Sequence, residues 1–346
     1  MKAAVLHGKN DIRCEEIDKP FAGEGEVIIE VKVTGICGSD LPRVLGNGAH
    51  YYPIVLGHEF SGVVCEVGPG VTNVSLGDRI AGAPLVPCHR CTDCQEGHYS
   101  QCTNYTFIGS RIPGSWAEYV KIPAMNAVVL PEEVSFEEGA FFEPSTVALH
   151  GLFVSDFRPG FDSAVLGCGT IGQLTIQWLR ILGANHIYAF DIDNEKLSLA
   201  QRFGADVCIN TANGDYAEIK KVIGNACIMY VFETAGVPYT QKLSLEIAAN
   251  KATVCYIGTP VKDITLEPAL FEKILRKELA LKGSWMSYSA PFPGREWTLT
   301  GDAFKKGLLK IEPMIYRRFP LESISEAFEL YQTPLSVKGK VLLISR

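Results

Sequence analysis

The stretch Ser163-Ala164-Val165-Leu166-Gly167-Cys168-Gly169-Thr170-Ile171-Gly172 decides how this chain is read. A short apolar run, residues 163–166, delivers the backbone into a GxGxxG turn. Residues 173–182 then continue with helical periodicity as far as Gly183, a C-capping glycine. A second apolar run, residues 186–190, ends at Asp191, roughly 20 residues beyond the turn. With a strand before it and a helix after it, the turn has the context of a dinucleotide-binding fingerprint. Gly167 and Gly169 let the backbone turn tightly and approach a pyrophosphate. Thr170 and Ile171 open the helix whose positive end faces that charge, and Gly172 lets helix and strand pack closely. Asp191 can accept hydrogen bonds from both ribose hydroxyls and would repel a 2′-phosphate, so NAD is expected over NADP.

Downstream the alternation continues. Residues 207–210, 229–232, 252–257 and 279–282 have strand character, and residues 239–249 have helical character. Such alternation specifies an α/β fold with a doubly wound parallel sheet, and Gly236 and Gly258 fall just past strands, where a cofactor lies. Upstream the texture differs. Short β-rich runs at 27–33, 61–67, 79–83 and 116–122 are punctuated by Gly and Pro, and the first long helical period comes at 137–153. The last fifty or so residues carry a helix candidate at 325–331 and a strand candidate at 339–344 that could rejoin the β-rich part.

The chain has 346 residues, long enough for two domains. With 47% hydrophobic and 21% charged residues and a net charge of −7, it reads as an ordinary globular enzyme-sized protein, with neither a nucleic acid nor a membrane as partner. Met1-Lys2-Ala3-Ala4-Val5-Leu6-His7 lacks the apolar core of a signal peptide, so the expected compartment is the cytoplasm.

Eleven cysteines in a reducing compartment call for an explanation other than disulfides. Cys88, Cys91, Cys94 and Cys102 are spaced to close a tetrahedron of thiolates around Zn²⁺, and four protein ligands leave no open position, so such a zinc is structural. Iron–sulfur ligation is the competing use of that pattern. His89 and His98 are expected on the surface of the lobe. Elsewhere Gly35-Ile36-Cys37-Gly38-Ser39-Asp40 and Gly57-His58-Glu59 put a thiol and an imidazole in Gly-rich turns at strand ends. Alone they are equally well a buried Cys and a hydrogen-bonded His.

These motifs, with Glu143-Pro144 and the glycine turn, occur in an order and spacing that resemble the zinc-containing medium-chain dehydrogenase/reductases over the whole chain. The resemblance implies a GroES-like β-rich catalytic domain (residues 1–150, with a structural-zinc lobe at about 85–105), a Rossmann domain (151–288) and a C-terminal return to the catalytic domain (289–346). It further implies two zincs per chain, the catalytic one held by Cys37, His58 and Glu143, with Glu59 an exchangeable ligand or a neighbour. A carboxylate at 143, where simple alcohol dehydrogenases commonly have Cys, is similar to the polyol branch. Ser39 is placed to pass a proton outward, and Asp40 to orient the loop or His58. Homodimers or homotetramers are implied as well.

The loops around residues 42–53, 107–111 and 273–289 resemble those of the galactitol-1-phosphate 5-dehydrogenases, which oxidise galactitol 1-phosphate to tagatose 6-phosphate. A phosphate needs cationic donors, and Arg43 and Arg111 are the candidates. The expected substrate is thus a polyol phosphate. An unphosphorylated polyol of the sorbitol or iditol kind, another polyol phosphate and, from another class, a non-catalytic NAD-binding regulator are the alternatives.

Overall fold

The computed structural model describes residues 1–333 and 335–345. The chain divides into two compact units, one formed by residues 1–143 and 287–346, the other by residues 144–286.

The first unit is built on a mostly antiparallel sheet of seven strands. Ala127–Val129, Arg79–Gly82, Phe60–Val67, Glu26–Ile36, Lys340–Ile344 and Ile315–Pro320 follow one another across it, and Tyr119–Pro123 also pairs with Glu26–Ile36. Glu26–Ile36 alternates little: Val27, Ile28, Ile29 and Val31 are all buried, as a central strand covered on both faces requires. The C-terminal strand joins here. Val341, Leu342 and Leu343 pair antiparallel with Ile36, Gly35 and Thr34, so the last residues of the chain stand against the segment that leads into Cys37. A three-stranded sheet of Asp11–Glu16, Lys2–Gly8 and Ile54–Val55 closes a core around Leu6, Leu56, Trp116 and Phe328. A two-residue ladder, Leu85–Val86 with Thr106–Phe107, forms the stem from which the four-cysteine lobe projects.

The second unit is a six-stranded parallel sheet in the order Val207–Asn210, Ile187–Asp191, Asp162–Leu166, Ile228–Glu233, Thr253–Tyr256, Ala280–Gly283. The chain order reverses between Asp162–Leu166 and Ile228–Glu233, which creates a crevice beyond their carboxyl ends. Thr170–Ile181, Asn194–Arg202, Tyr216–Ile223, Pro238–Ile247 and Pro268–Arg276 are the helices of this unit after the first strand. Helices 216–223 and 268–276 were absent from the sequence expectations. Both are short amphipathic pieces, and Ile219 and Leu270 are respectively their only fully buried residues.

The single helix expected at 137–153 is two. Ser135 caps Phe136–Ala140 with a reciprocal box to Glu138, Phe141 ends that helix, and Phe142–Val154 starts afresh. The break matters because it puts Glu143 in a first helical turn, where the dipole favours a carboxylate.

Candidate metal centre and nucleotide site

The four-cysteine lobe is a tight loop around a 4-residue helix, Thr92–Gln95, and a 3-10 turn, Tyr99–Gln101. One sulfur from each of Cys88, Cys91, Cys94 and Cys102 lies within 4.8 Å of every other. Backbone N–H groups around Cys91 bring its thiol down to about 6, whereas burial pushes that of Cys94 up to about 12. A mixed set of this kind ionises fully only when a cation neutralises it, so the donors fit a closed zinc site. His89 and His98 are both exposed, as anticipated, and the His89 ring leans on Tyr99 and Phe292.

The second cluster grows out of the central strand. Glu26–Ile36 ends in a 3-10 turn, Gly38–Asp40, and the buried Asp40 turns its carboxylate back to accept from the Cys37 N–H at 3.1 Å. Opposite, Gly57 stands at φ +97°, and a side chain there would strike the Trp116 ring at 2.4 Å. That turn aims His58 and Glu59 inward. The Cys37 sulfur, a His58 nitrogen and a Glu59 oxygen lie within 4.8 Å of one another. The His58 ring packs edge-on against Phe107 at 5.6 Å, and its buried Nδ1 has no hydrogen-bond partner among the described residues. Asp40 Oδ1 lies 3.6 Å from that nitrogen, too far for a hydrogen bond. An orphaned imidazole nitrogen beside a thiol and a carboxyl is a donor set that fits a borderline metal ion.

Glu143, expected as the third ligand, is not one of the three residues whose ligand atoms lie within 4.8 Å of one another, but its carboxyl feels His58 and Glu59. Burial, set against the nearby His58 and reinforced by Glu59, raises its carboxyl to about 7. Burial and Glu59 likewise push the Cys37 thiol far up. The Cys37 thiol and the Glu143 carboxyl thus resist ionising together, and a divalent cation would reverse that.

Sequence reasoning missed two neighbours. Lys340, at 5% exposure, donates to both Glu59 oxygens at 2.7 and 2.6 Å, so the carboxylate counted as a possible ligand is held by a lysine. Gly35 makes room for this pair: a Cβ there would meet Glu59 Oε2 at 2.4 Å. Tyr288, also buried, accepts from the Leu85 N–H at 2.9 Å and feels the charge of Glu143. A polar residue opening an otherwise apolar strand, Lys340-Val341-Leu342-Leu343, was the available signal for the first.

The candidate substrate residues lie in different settings. Arg43 donates to Asp40 Oδ1 at 3.0 Å and to the exposed Ser39 hydroxyl at 3.2 Å, which ties it to the Cys37 loop. Arg111 is exposed, lies 4.4 Å over the Tyr105 ring and donates to its hydroxyl.

In the second unit the glycine turn has the conformation its spacing requires. Gly167 takes φ +95°, and a Cβ at Gly172 would meet the Gly167 carbonyl at 1.8 Å. At Gly169 the same atom would meet nothing within 4 Å, leaving open space at the start of helix Thr170–Ile181 for an anion to approach. Asp191 closes the second strand. Its carboxylate accepts from the Cys168 and Asp193 N–H groups at 2.7 and 2.9 Å, which fixes it beside the glycine turn. The cap of the following helix is Asp193, leaving Asp191 to face the turn.

Comparisons with known proteins agree with this geometry. The family model described as alcohol dehydrogenase GroES-like domain matches residues 23–132, and that described as zinc-binding dehydrogenase matches residues 170–299. Galactitol 1-phosphate 5-dehydrogenase of Escherichia coli (strain K12) is 42% identical over 346 residues, covering 99% of this chain and 100% of the relative. Sorbitol dehydrogenase of Bacillus subtilis (strain 168) is 30% identical, covering 95% of this chain and 93% of the relative. Among solved structures, galactitol-1-phosphate dehydrogenase from Escherichia coli superposes with a TM-score of 0.96 at 42% identity, over 99% of this chain and 100% of that one. A zinc-binding dehydrogenase from Sinorhizobium meliloti 1021 bound to NADP gives 0.90 at 32% identity, over 99% and 98%.

Proposed function

The chain belongs to the zinc-binding medium-chain alcohol and polyol dehydrogenases with a GroES-like domain, and we propose that within that family it oxidises a secondary alcohol of a polyol phosphate with NAD, galactitol 1-phosphate going to tagatose 6-phosphate. The enclosed Cys37, His58 and Glu59 cluster, with its orphaned Nδ1 and Glu143 alongside, carries the catalytic part of this proposal. The full-length likeness to a galactitol 1-phosphate 5-dehydrogenase carries the substrate.

Cys37, His58 and Glu143 would hold the catalytic zinc, and Cys88, Cys91, Cys94 and Cys102 a structural one, giving two per chain. The catalytic ion would supply Lewis acidity that lowers the pKa of a substrate hydroxyl. Around it the protein positions and shields. Asp40 anchors the Cys37 backbone and faces His58, and Lys340 holds both oxygens of Glu59. The exposed Ser39 hydroxyl, next to Arg43, is the candidate to pass the substrate's proton to solvent. Gly167, Gly169, Thr170, Ile171 and Gly172 hold the dinucleotide pyrophosphate, and Asp191 takes the adenosine ribose hydroxyls. A bound nicotinamide would supply the acceptor for the hydrogen and both electrons of the carbinol carbon, with the hydroxyl proton lost separately and a ketone left.

The negative charge fixed at Asp191 supports NAD, since a 2′-phosphate would meet a carboxylate already held by two backbone N–H groups. Arg111 and Arg43 are the proposed phosphate contacts. Strand Ala280–Gly283, whose four residues are exposed at the sheet edge, suits pairing with a second copy. The experiment is a rate comparison: NAD reduction with galactitol 1-phosphate against galactitol and sorbitol. Faster turnover of the phosphate ester supports the assignment, and faster turnover of either free polyol replaces it with the sorbitol-type alternative, which the Bacillus subtilis relative favours.

A further inference from the structure

Glu233 is the last residue of strand Ile228–Glu233, at the crevice where the chain order of the parallel sheet reverses. Its side chain is wholly buried. One oxygen, Oε1, accepts three hydrogen bonds: from the Ala235 N–H at 3.0 Å, the Gly236 N–H at 2.9 Å and the Thr240 hydroxyl at 2.7 Å. The other oxygen, Oε2, is buried with no partner among the described residues. Burial raises the carboxyl's pKa against the opposing pull of those donors. Leaving a carboxyl oxygen uncompensated inside a sheet is costly, and a hydrophobic residue of similar size would avoid it.

The turn that Glu233 braces is shared with its neighbours. Thr234 donates its hydroxyl to the Leu166 and Gly167 carbonyls at 3.1 and 2.7 Å, and a Cβ on Gly167 would touch that of Ala235 at 2.8 Å. On the other side, the Glu233 carbonyl accepts from the Ile257 and Gly258 N–H groups at 2.8 and 2.9 Å. Gly236 sits so close to the next turn that a side chain there would strike the Thr259 carbonyl at 2.1 Å. Three turns at the carboxyl ends of three adjacent strands are thus locked together, and Glu233 is a buried acid at their junction. In open α/β sheets this is where the ligand lies.

We propose that Glu233 is a positioning residue for the dinucleotide: its buried carboxyl fixes the turn at residues 234–236 against the glycine loop and the turn at 257–259, and so sets the shape of the cofactor crevice. The inference rests on the proposal that this unit binds NAD. Replacing the acceptor leaves two turn N–H groups without it and the Thr240 hydroxyl with only the Val237 carbonyl, at 2.9 Å, and the turn relaxes away from the glycine loop.

The test is fluorescence titration of the purified full-length protein with NADH, for the wild type, Glu233→Leu and Glu233→Gln, with zinc content measured on each. Glu233→Leu is expected to weaken NADH binding about tenfold or more. It should raise KM for NAD while leaving zinc content and KM for the polyol unchanged. Glu233→Gln keeps the acceptor and is expected to stay within about threefold of wild type. A residue serving only the stability of the fold would lower Tm in Glu233→Leu without moving the NADH affinity, and that result overturns the proposal. Should Glu233→Leu not fold, Thr240→Val removes one of the three donors and is expected to weaken NADH about threefold; unchanged binding there overturns it equally. A wild-type protein that binds no NADH would instead sink the cofactor assignment itself.

Discussion

Lys340 Nζ lies 2.6 and 2.7 Å from the two carboxylate oxygens of Glu59, with both side chains at or below 5% exposure, so the candidate metal cluster includes a buried, bidentate ion pair. Burial disfavours the lysine's charge, but Glu59, Cys37 and Glu143 together outweigh it and raise the pKa above the ordinary 10.5. The pair's stabilisation is therefore intact at neutral pH and would be lost only as pH climbs past that range. Removing one partner strands the other. Lys340→Met is expected to cost about 3–5 kcal/mol in denaturant unfolding of the zinc-loaded protein, and the double variant with Glu59→Gln distinctly less. Equal losses in the two would mean the ion pair is not what the lysine supplies.

Glu143 gives a pH dependence of the same sense in a lower window. Its carboxyl is raised to about 7 from the ordinary 4.5 in the metal-free protein. Its contribution to metal-free stability is thus full below about 4.5 and declines as pH rises through about 7. Zinc must displace that proton, so affinity at this site should strengthen as pH rises across the same window. Competition with a chromophoric chelator across pH 5.5 to about 8 measures it. Glu143→Ala should flatten that portion of the profile, and an unaltered profile would remove Glu143 from the metal's surroundings.

The lobe should behave as an independent zinc site. Cys94→Ser is expected to halve the zinc content of the purified chain and to lower its stability by several kcal/mol, because three remaining ligands hold the metal poorly. Elemental analysis with thermal unfolding checks both. Full zinc content in that variant would point to a different set of ligands.

At the nucleotide site, Asp191→Gly should lower the NAD-to-NADP ratio of kcat/KM about tenfold or more, by removing the charge that opposes a 2′-phosphate. It should also cost about 1–3 kcal/mol, since the Cys168 and Asp193 N–H groups lose their acceptor. Unchanged discrimination would mean that another group selects the cofactor.

Arg111→Ala is expected to raise KM for galactitol 1-phosphate about tenfold while leaving KM for galactitol unaffected, as loss of a charged phosphate contact requires. Equal effects on both substrates would reassign Arg111 to holding the loop through Tyr105.

What could be read from sequence is what sterics and ligand chemistry write locally. The glycine turn was legible because Gly167 takes a positive φ and Gly172 meets the Gly167 carbonyl, reasons that lie within a few residues. The four-cysteine lobe was legible because its ligands are spaced by a single loop. Lys340 was not, since a lysine at the start of a strand reads as surface charge and its partner stands 281 residues away. The split at Phe141 was hidden for a similar reason. Apolar periodicity runs on through residues 137–153, and the signals for the break, the capping box at Ser135 and Pro144 in the first turn of the second helix, are local ones that the periodicity overrides. Tyr288 and Glu233 owe their places to pairing between strands and segments far apart in the chain, which no local pattern records.

The central claim is that Cys37, His58 and Glu143 hold a zinc ion with a position left for the substrate. A crystal of the full chain measured at the zinc edge tests it most directly. We expect two anomalous peaks per chain, one among Cys88, Cys91, Cys94 and Cys102, and one within about 2.0–2.3 Å of the Cys37 sulfur, a His58 nitrogen and a Glu143 oxygen. A single peak in the four-cysteine lobe, or a second peak that Glu143 does not touch, would contradict it.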